Sequence, residues 1–276
     1  MDIGNKVALV TGAGRGIGRA LCREFMRRGA AGVAVLDLDG ETAVATAAEF
    51  GDAGLGIACD VADEKAVRRA VVVAQAHFGR LDIVVSNAGF GVKELDLDDA
   101  LSVPNEMWQR MWDVHVMAHV YACRAALPGM LGRGEGYLVN VASAAGILSQ
   151  VGDTAYSTTK HAAVGLAESL AIAYTERGVR ASVVCPQYVA TAITGLAEDL
   201  ESGSIPGVLT VEQAAGAIAD GIEREQFLIL THVEVLGFFQ RKASDYDRWL
   251  TGMRRLRAGL RDAGGFLKVR KQSPKG

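Results

Sequence analysis

The stretch Lys6-Val-Ala-Leu-Val-Thr-Gly-Ala-Gly-Arg-Gly-Ile-Gly18 decides the fold, because an apolar run leads through a glycine-rich loop into a helix-like segment. Glycine lets the backbone turn sharply and approach a pyrophosphate closely, and a helix N-terminus offers free N–H groups and a positive dipole end. The order strand, glycine loop, helix predicts a dinucleotide phosphate site. Its residues are Gly12, Gly14, Arg15, Gly16, Ile17 and Gly18.

The rest of the chain alternates short apolar runs with helix-like segments. The apolar runs lie at 7–10, 33–36, 55–58, 81–85, 137–141, 182–185 and 227–230, and the helix-like segments include 18–28, 41–50 and 64–78. Such alternation is typical of a parallel sheet covered on both faces. The pattern predicts an α/β fold, a doubly wound Rossmann-type sheet of about seven parallel strands flanked by helices.

Composition narrows the class of protein. Half of the 276 residues are apolar and 22% are charged, as in soluble globular proteins. The four cysteines are far apart and form no Cys-x-x-Cys pair, so we predict neither a metal site nor a redox motif. The N-terminus does not resemble a leader, and no apolar run has the length of a membrane span. We therefore expect a cytoplasmic protein that does not enter a membrane.

The C-terminal part differs in charge from the rest. The net charge is −3, yet residues 241–276 carry eleven Lys or Arg against three Asp or Glu. Within 238–256 apolar residues recur at helical spacing and predict one amphipathic face. These residues are Tyr246, Trp249, Leu250, Met253 and Leu256. We predict a cofactor-binding and catalytic domain, 1–235, and a basic amphipathic extension, 236–276, packed on the body or on a second subunit. Attachment to a membrane surface is the less favoured alternative, and nothing indicates nucleic acid binding.

The end of the second apolar run carries Asp37, about 20 residues beyond the glycine loop. A carboxylate there can accept hydrogen bonds from both ribose hydroxyls and repels a 2′-phosphate, which favours NAD over NADP. Arg15 supports the alternative, because a cation in the glycine loop can bind that phosphate.

A possible proton-transfer group lies in the second half. Tyr156 and Lys160 are four residues apart in a helix-like stretch and so share one face. An ammonium near a phenol lowers the phenol pKa, and the phenol can then act as a general acid or base. Ser143 lies thirteen residues earlier, just past a strand-like run, where its hydroxyl could hold a substrate oxygen. The spacing of Tyr156 and Lys160 is common by itself, so its weight comes from Ser143 and the glycine loop.

Over roughly residues 5–232 the sequence resembles the short-chain dehydrogenase/reductase family. The motifs that carry the resemblance are the glycine loop, Cys59-Asp60-Val61, Asn87-Ala-Gly89, Ser143, Tyr156-Ser-Thr-Thr-Lys160, and Pro186 with Thr191. The resemblance implies an oxidoreductase that moves a hydride between a nicotinamide cofactor and an alcohol or ketone carbon. It also implies a homodimer or homotetramer, for which helices over 108–127 and 158–174 are candidate contacts.

The resemblance also implies a role for each matched residue. The cofactor would be held by Asp60 and Val61 at the adenine, by Asn87, Ala88 and Gly89 beneath it, and by Pro186, Val189 and Thr191 near the nicotinamide. Ser143 would orient the carbonyl and Tyr156 would exchange the proton. Lys160 would bind the nicotinamide ribose and tune Tyr156.

Two positions depart from the family pattern. His115 stands where the family usually has an asparagine that anchors a water beside the lysine. It either replaces that asparagine in proton transfer, since histidine titrates near neutrality, or is bonded to backbone groups and plays no part. Gln187 follows Pro186 where glycine is usual, so its side chain either crowds the nicotinamide or bonds to the substrate.

Three loops, 90–107, 144–154 and 187–209, should lie beyond the carboxyl ends of the strands, where ligands bind in such sheets. Lys93 is their one cation, so a neutral apolar alcohol or ketone is favoured over an anionic substrate. Loop residues can also be apolar because they pack as a lid. The main alternatives to an NAD-dependent enzyme are an NADPH-dependent ketoreductase and a catalytically silent nicotinamide-binding regulator, the latter suggested by His115, Gln187 and the extension.

Overall fold

The computed structural model describes residues 1–92 and 96–263, and within them seven parallel strands form one sheet in the order β3-β2-β1-β4-β5-β6-β7. The strands are β1 Val7–Thr11, β2 Gly32–Asp37, β3 Gly54–Ala58, β4 Ile83–Ser86, β5 Gly136–Val141, β6 Val179–Val184 and β7 Leu228–Ile229. The predicted doubly wound sheet is thus confirmed, and the predicted strand positions shift by at most three residues at their ends.

Nine α-helices are present in the described part of the chain. They are α1 Gly16–Arg27, α2 Gly40–Ala48, α3 Glu64–Phe78, α4 Asn105–Trp112, α5 Ala118–Arg133, α6 Thr154–Tyr174, α7 Val211–Glu223, α8 Glu234–Ser244 and α9 Tyr246–Ala263. One π-helical turn, Asp113–Met117, joins α4 to α5. Such turns are rare and occur frequently at functional sites, which draws attention to His115 within it.

The helices cover both faces of the sheet. Helices α1, α2 and α7 pack on one face, where Phe25 and Ile218 are fully buried. Helices α3 and α5 pack on the other, around Leu9 and Leu138. Alternate residues of the central strands β1, β2, β4 and β5 supply the two cores, so these strands are apolar almost throughout.

The strand order reverses between β1 and β4, and this switch point is where ligands bind in doubly wound sheets. The glycine loop, residues 11–18, follows β1 there, and the 144–154 and 187–209 loops follow β5 and β6. Lys93 and residues 264–276 of the predicted extension lie outside the described residues.

The C-terminal part corrects one prediction. The sequence predicts one amphipathic helix through 238–256, whereas two helices, α8 and α9, meet at Asp245, whose carboxylate accepts a hydrogen bond from Arg248 N at 2.9 Å. An aspartate in extended conformation that caps the next helix ends the first one, so the two helices do not share a face. On α9, Tyr246 remains 55% exposed and Leu250 42% exposed, while Trp249 and Met253 are half-buried and Leu260, one turn beyond Leu256 on the same face, is buried.

None of the described helices is both long and apolar enough to cross a membrane. The four cysteines are unpaired and buried. Within the described residues no group of histidine, cysteine and carboxylate side chains is arranged to hold a metal ion.

Candidate active site

The glycine loop is built so that its backbone lies directly against its surroundings. Gly12 and Gly16 adopt positive φ values of 63° and 58°, which suit glycine. A Cβ on Gly14 would lie 2.3 Å from Thr42 Oγ1, and one on Gly18 would lie 2.4 Å from Gly12 O. The loop leads into α1, whose N-cap residue is the exposed Arg15. The N–H groups of the first turn of α1 have no partner within the helix, and they border the switch point.

Asp37 is the last residue of β2 and contacts this loop. Its Oδ2 accepts a hydrogen bond from Gly14 N at 2.9 Å, and its Oδ1 accepts one from Asp39 N at 3.1 Å. The residue is 7% exposed, so its carboxylate has a defined position at the edge of the loop. A carboxylate held there can accept ribose hydroxyls and repels a phosphate.

Asn87 joins the end of β4 to the glycine loop. Its Nδ2 donates to Thr11 O at 2.9 Å and to Gly12 O at 3.2 Å. The backbone N–H groups of Asn87 and Ala88 both donate to Thr11 Oγ1, at 2.9 and 3.0 Å. A Cβ on Gly89 would lie 3.5 Å from both the His115 ring and Lys160 Nζ. This segment therefore connects the loop to the candidate catalytic residues.

The remaining predicted cofactor residues lie along the same edge. Asp60 accepts a hydrogen bond from Ala62 N at 3.0 Å and lies 3.4 Å from Arg110, and Val61 beside it is buried. Beyond β6, Val189 and Thr191 are buried, and Pro186 O accepts a hydrogen bond from Ala144 N at 2.7 Å. Apart from Tyr156 and Lys160 on α6, the cofactor residues predicted from the sequence thus lie at the carboxyl edge of the sheet, in the loops that follow it or in the first turn of α1.

Ser143, Tyr156 and Lys160 come together where β5 and α6 meet. The Ser143 hydroxyl interacts with the Tyr156 phenol, donates to Pro186 O at 3.4 Å and accepts from Ala145 N at 3.1 Å. Lys160 Nζ donates to Val141 O at 3.1 Å and lies 5.6 Å from the centre of the Tyr156 ring. A hydroxyl, a phenol and a cation thus converge on one point, as proton transfer to or from a substrate oxygen requires.

The electrostatics of this group differ from the expectation that Lys160 lowers the pKa of Tyr156. Burial raises the pKa of the Tyr156 phenol to about 12, and the hydrogen bond from Ser143 offsets only part of that rise. Burial also lowers the pKa of Lys160 to about 8. Burial is the largest cause of both shifts, and the Lys160 ammonium donates its hydrogen bond to Val141 O.

His115 is fully buried in the π-helical turn and uses both ring nitrogens. Nε2 accepts a hydrogen bond from Phe90 N at 3.2 Å, so Nδ1 carries the proton and faces Thr159 Oγ1 at 2.9 Å. The ring also meets that of Tyr156 edge-on at 5.5 Å. Burial, reinforced by Lys160, holds the pKa of His115 well below its usual value. This geometry favours a neutral histidine that positions its neighbours over one that carries protons.

The predicted substrate loops are largely packed. In the third loop, 187–209, the residues Ala190, Ile205 and Val208 are buried against one another. These apolar residues therefore pack within the loop, as the residues of a lid do. Glu198 of this loop pairs with Arg19 on α1 at 3.0 Å and so lies over the glycine loop. Gln187 N donates to His232 Nδ1 at 3.3 Å, and the Gln187 amide oxygen is buried.

Asp153 is a site residue that the sequence analysis missed. It is 3% exposed, and its Oδ1 accepts a hydrogen bond from Tyr156 N at 3.0 Å. Asp153 thus caps α6 and fixes the position of Tyr156 in the first turn of that helix. Burial raises its pKa. The sequence did contain a signal for this cap, because Asp153 lies three residues before Tyr156 and an N-cap side chain usually bonds to the backbone N–H two or three residues further on.

The fold and the site together are those of an α/β oxidoreductase whose cofactor site lies at the carboxyl edge of the sheet. A sequence profile described as short chain dehydrogenase matches residues 6–201. A 2-(R)-hydroxypropyl-CoM dehydrogenase from Xanthobacter autotrophicus is 38% identical over 69% of this chain and 77% of the relative, and a D-threitol dehydrogenase from Mycolicibacterium smegmatis is 37% identical over 68% and 72%.

Solved structures agree. A short chain dehydrogenase/reductase from Burkholderia phymatum in complex with NAD superimposes with a TM-score of 0.77 at 27% identity, covering 90% of this chain and 96% of that one. A 3-ketoacyl-(acyl-carrier-protein) reductase from Brucella melitensis with NADH gives 0.75 at 30% identity, with 83% and 97% covered. The chain belongs to the short-chain dehydrogenase family, which confirms the resemblance, and it is an oxidoreductase of that family.

Proposed function

We propose that the protein transfers a hydride between NAD(H) and an apolar secondary alcohol or its ketone, with Tyr156 as the general acid and base. The observation that carries this proposal is the convergence of Ser143, Tyr156 and Lys160 beside the glycine loop. Relatives named as dehydrogenases of hydroxyl compounds support the reaction type.

The residues present fit a dinucleotide. Side chains at Gly14 and Gly18 would collide with the loop and its neighbours, as expected of a backbone that closely follows a ligand. The first turn of α1 offers N–H groups for a pyrophosphate, and Asp37 stands where ribose hydroxyls are bound in this fold. When bound, the nicotinamide supplies the hydride acceptor or donor.

The protein's own residues handle the proton. In oxidation, the Ser143 hydroxyl would hold the alcohol oxygen and the Tyr156 phenolate would accept the hydroxyl proton, while the carbon that bears this hydroxyl gives up its hydride to the cofactor. In reduction, the protonated phenol would return the proton to the substrate oxygen. Lys160 holds positive charge near the phenol and stabilises the phenolate during the step. Because the phenol pKa is about 12 without ligands, oxidation should accelerate as the pH rises.

NAD is favoured over NADP because Asp37 is held by Gly14 N at the edge of the loop, whereas Arg15 is exposed there. Two structures of similar proteins contain NAD or NADH. An apolar substrate is favoured because the 144–154 and 187–209 loops contain no lysine or arginine that could bind an anionic group. Lys93, the cation noted in the first loop, lies outside the described residues.

Subunit association belongs to the same proposal. Ile172 on α6 is 84% exposed and Trp112 on α4 is 40% exposed, so the helices named as candidate contacts present apolar side chains to solvent. We expect a dimer or tetramer in sedimentation; a monomer at all concentrations would contradict it.

The test is cofactor reduction, followed by absorbance, with NAD and NADP separately against a panel of apolar secondary alcohols and then the reverse reaction with ketones. We expect turnover with NAD that falls by roughly 10²–10⁴-fold in Tyr156→Phe, while NADH binding is retained. Asp37→Ser should weaken the preference for NAD. Turnover that prefers NADP would favour the ketoreductase alternative, and cofactor binding without turnover in either direction would favour the silent regulator.

A further inference from the structure

Lys242, near the end of α8, is a buried cation outside the group of catalytic residues. It is 5% exposed, and no carboxylate lies within 4 Å of it among the described residues. Its Nζ donates to Ile147 O at 2.9 Å and to Leu148 O at 2.8 Å, and it contacts His161 Nε2 at 3.4 Å. Three acceptors thus match the three protons of the ammonium.

Two aromatic rings complete the environment of this ammonium. The Tyr246 and Trp249 ring centres lie 5.4 and 4.9 Å from Lys242 Nζ, and both rings belong to α9. Removing an ammonium from water is costly, and an apolar residue of similar size often stabilises a fold at least as well. The particular set of acceptors therefore points to a role in holding a defined geometry.

The acceptors belong to the segment that links two catalytic residues. Ile147 and Leu148 lie in the 144–154 loop, which begins after Ser143 and ends before Tyr156. Ser157, next to Tyr156, also holds this loop, since its Oγ accepts a hydrogen bond from Gln150 N at 2.8 Å.

His161 connects Lys242 to helix α6. The residue directly follows Lys160, and its Nδ1 lies 2.8 Å from Ser157 O, a carbonyl that can only accept. Nδ1 is therefore the donor, and Nε2 is left to accept from Lys242. The ammonium thus contacts both the loop and the helix that carries Tyr156 and Lys160.

Helix α9 makes a second attachment, to the first substrate loop. The Arg257 guanidinium donates to Leu97 O and, at 3.3 Å, to Asp98 O, and Arg261 pairs with the Asp98 carboxylate at 2.9 Å. This loop is in turn bonded to the 144–154 loop, because Asp96 N donates to Gly152 O at 3.1 Å. The C-terminal helical pair, α8 and α9, therefore holds two connected loops at the substrate end.

We propose that the C-terminal helical pair is a brace for the active site, in which Lys242 is a positioning residue that fixes the 144–154 loop between Ser143 and Tyr156. The two braced loops border the place where the substrate binds under the proposed function, on which this inference rests. By fixing these two loops, the C-terminal helical pair determines which alcohols fit in the space between them. This arrangement gives basic residues of the extension a role, because Lys242 donates to carbonyl groups of the 144–154 loop and Arg257 donates to carbonyl groups of the 90–107 loop.

The decisive variant is Lys242→Met, which keeps the length of the side chain and removes its donors. Arg257→Met tests the second attachment. Arg254→Met is the matched control, because Arg254 is also exposed on α9 but bonds to Thr251 of its own helix. Lys242→Arg keeps the charge and donors and should restore part of any loss.

The first readout needs no substrate. Ile147 N and Leu148 N donate to Ala144 O at 3.2 and 2.8 Å, so hydrogen exchange of a peptide over 144–151 reports on the loop. We expect faster exchange there in Lys242→Met and around 96–99 in Arg257→Met, with NADH affinity by fluorescence titration unchanged and no change in Arg254→Met. Unchanged exchange in both brace variants overturns the brace, and if Lys242→Met does not fold, Arg257→Met decides the question.

The second readout is turnover across the alcohol panel. We expect KM to rise roughly ten-fold in Lys242→Met with a smaller change in kcat, and the ranking of small and large alcohols to shift. Faster exchange with unchanged KM and ranking would overturn the role in specificity. If the wild-type protein turns over no alcohol or ketone, the proposed function fails, while hydrogen exchange still tests the brace.

Discussion

The glycine loop and the C-terminal helical pair both border the active site, but they are built from different kinds of contact. In the glycine loop, backbone lies on backbone, and a Cβ on Gly18 would come within 2.4 Å of Gly12 O in the same loop. In the helical pair, long side chains span the fold, since Lys242 reaches Ile147 across 95 residues of sequence and Arg257 reaches Leu97 across 160.

The difference indicates where each region tolerates change. Close backbone packing leaves no room for an added atom, so almost every position of the glycine loop is constrained. A largely exposed helix depends on a few anchoring side chains and is otherwise free to vary.

The largest effect is expected from Lys160→Met, which compares a catalytic buried lysine with the bracing one. We expect kcat/KM to fall by roughly 10²-fold or more, with no loss of thermal stability. Burial lowers the Lys160 pKa from 10.5 to about 8, so protonation destabilises the folded state as the pH falls through this range. Kinetics and thermal unfolding near neutral pH check both parts; a parallel loss of activity and stability would show that Lys160 is mainly structural.

Gly18→Ala should disrupt the backbone contacts of the glycine loop. The new Cβ would meet Gly12 O at 2.4 Å and Ala13 Cα at 2.9 Å, neither of which can move easily. We expect a stability loss of ~1–3 kcal/mol and weaker NADH binding. Urea unfolding and fluorescence titration measure the two effects. Normal stability and affinity would mean that the loop relaxes around the new Cβ and is not closely constrained.

A smaller effect concerns two buried histidines, His115 in the π-helical turn and His119 in the first turn of α5. Burial lowers the His119 pKa from 6.5 to about 3 and holds that of His115 well below 6.5, so both stay neutral in the folded protein while the unfolded chain protonates. The unfolding free energy should therefore fall as the pH drops below 6.5, by up to ~1.4 kcal/mol per pH unit for each histidine.

Urea unfolding at a series of pH values measures this slope. His119→Leu should give a shallower dependence between pH 6.5 and about 3 than the wild-type protein, because one proton fewer is taken up on unfolding. An identical slope in the variant would show that His119 is already charged in the folded state.

The smallest effect is expected from Gly252→Ala in α9, a glycine change matched to Gly18→Ala. A Cβ there meets nothing within 4 Å, and the position lies inside an exposed helix. We expect a gain of ~0.5–1 kcal/mol in unfolding free energy, because glycine loses more backbone entropy than alanine in a helix. Cofactor binding should not change. A loss of stability in urea unfolding would indicate that the C-terminal helical pair is packed more tightly than its exposure suggests.

Much of the fold and of the candidate site was predictable because the signals are local. The strand before Gly12, the glycine spacing and the carboxylate at Asp37 lie within one β-α-β unit, where chain order and spatial order agree. Tyr156 and Lys160 share a face because they lie one turn apart on one helix.

Other features needed the folded chain. The sequence indicated that Lys160 lowers the pKa of Tyr156, but burial of the phenol dominates, and burial depends on everything packed around it. The spacing of apolar residues predicted one helix through 238–256, but Asp245 ends α8 and caps α9 as a second helix.

The sequence by itself determined the sheet, the candidate cofactor loop and the identity of the candidate catalytic residues. It did so because strand hydrophobicity, glycine spacing and helical spacing are set by residues close together in the chain. Only the tertiary structure decided the tautomer of His115, the role of Asp153 as a cap for α6 and the burial of Lys242 against Ile147 and Leu148. Each of these depends on which distant backbone groups are left to accept or donate a hydrogen bond, and that is settled only when the elements pack together.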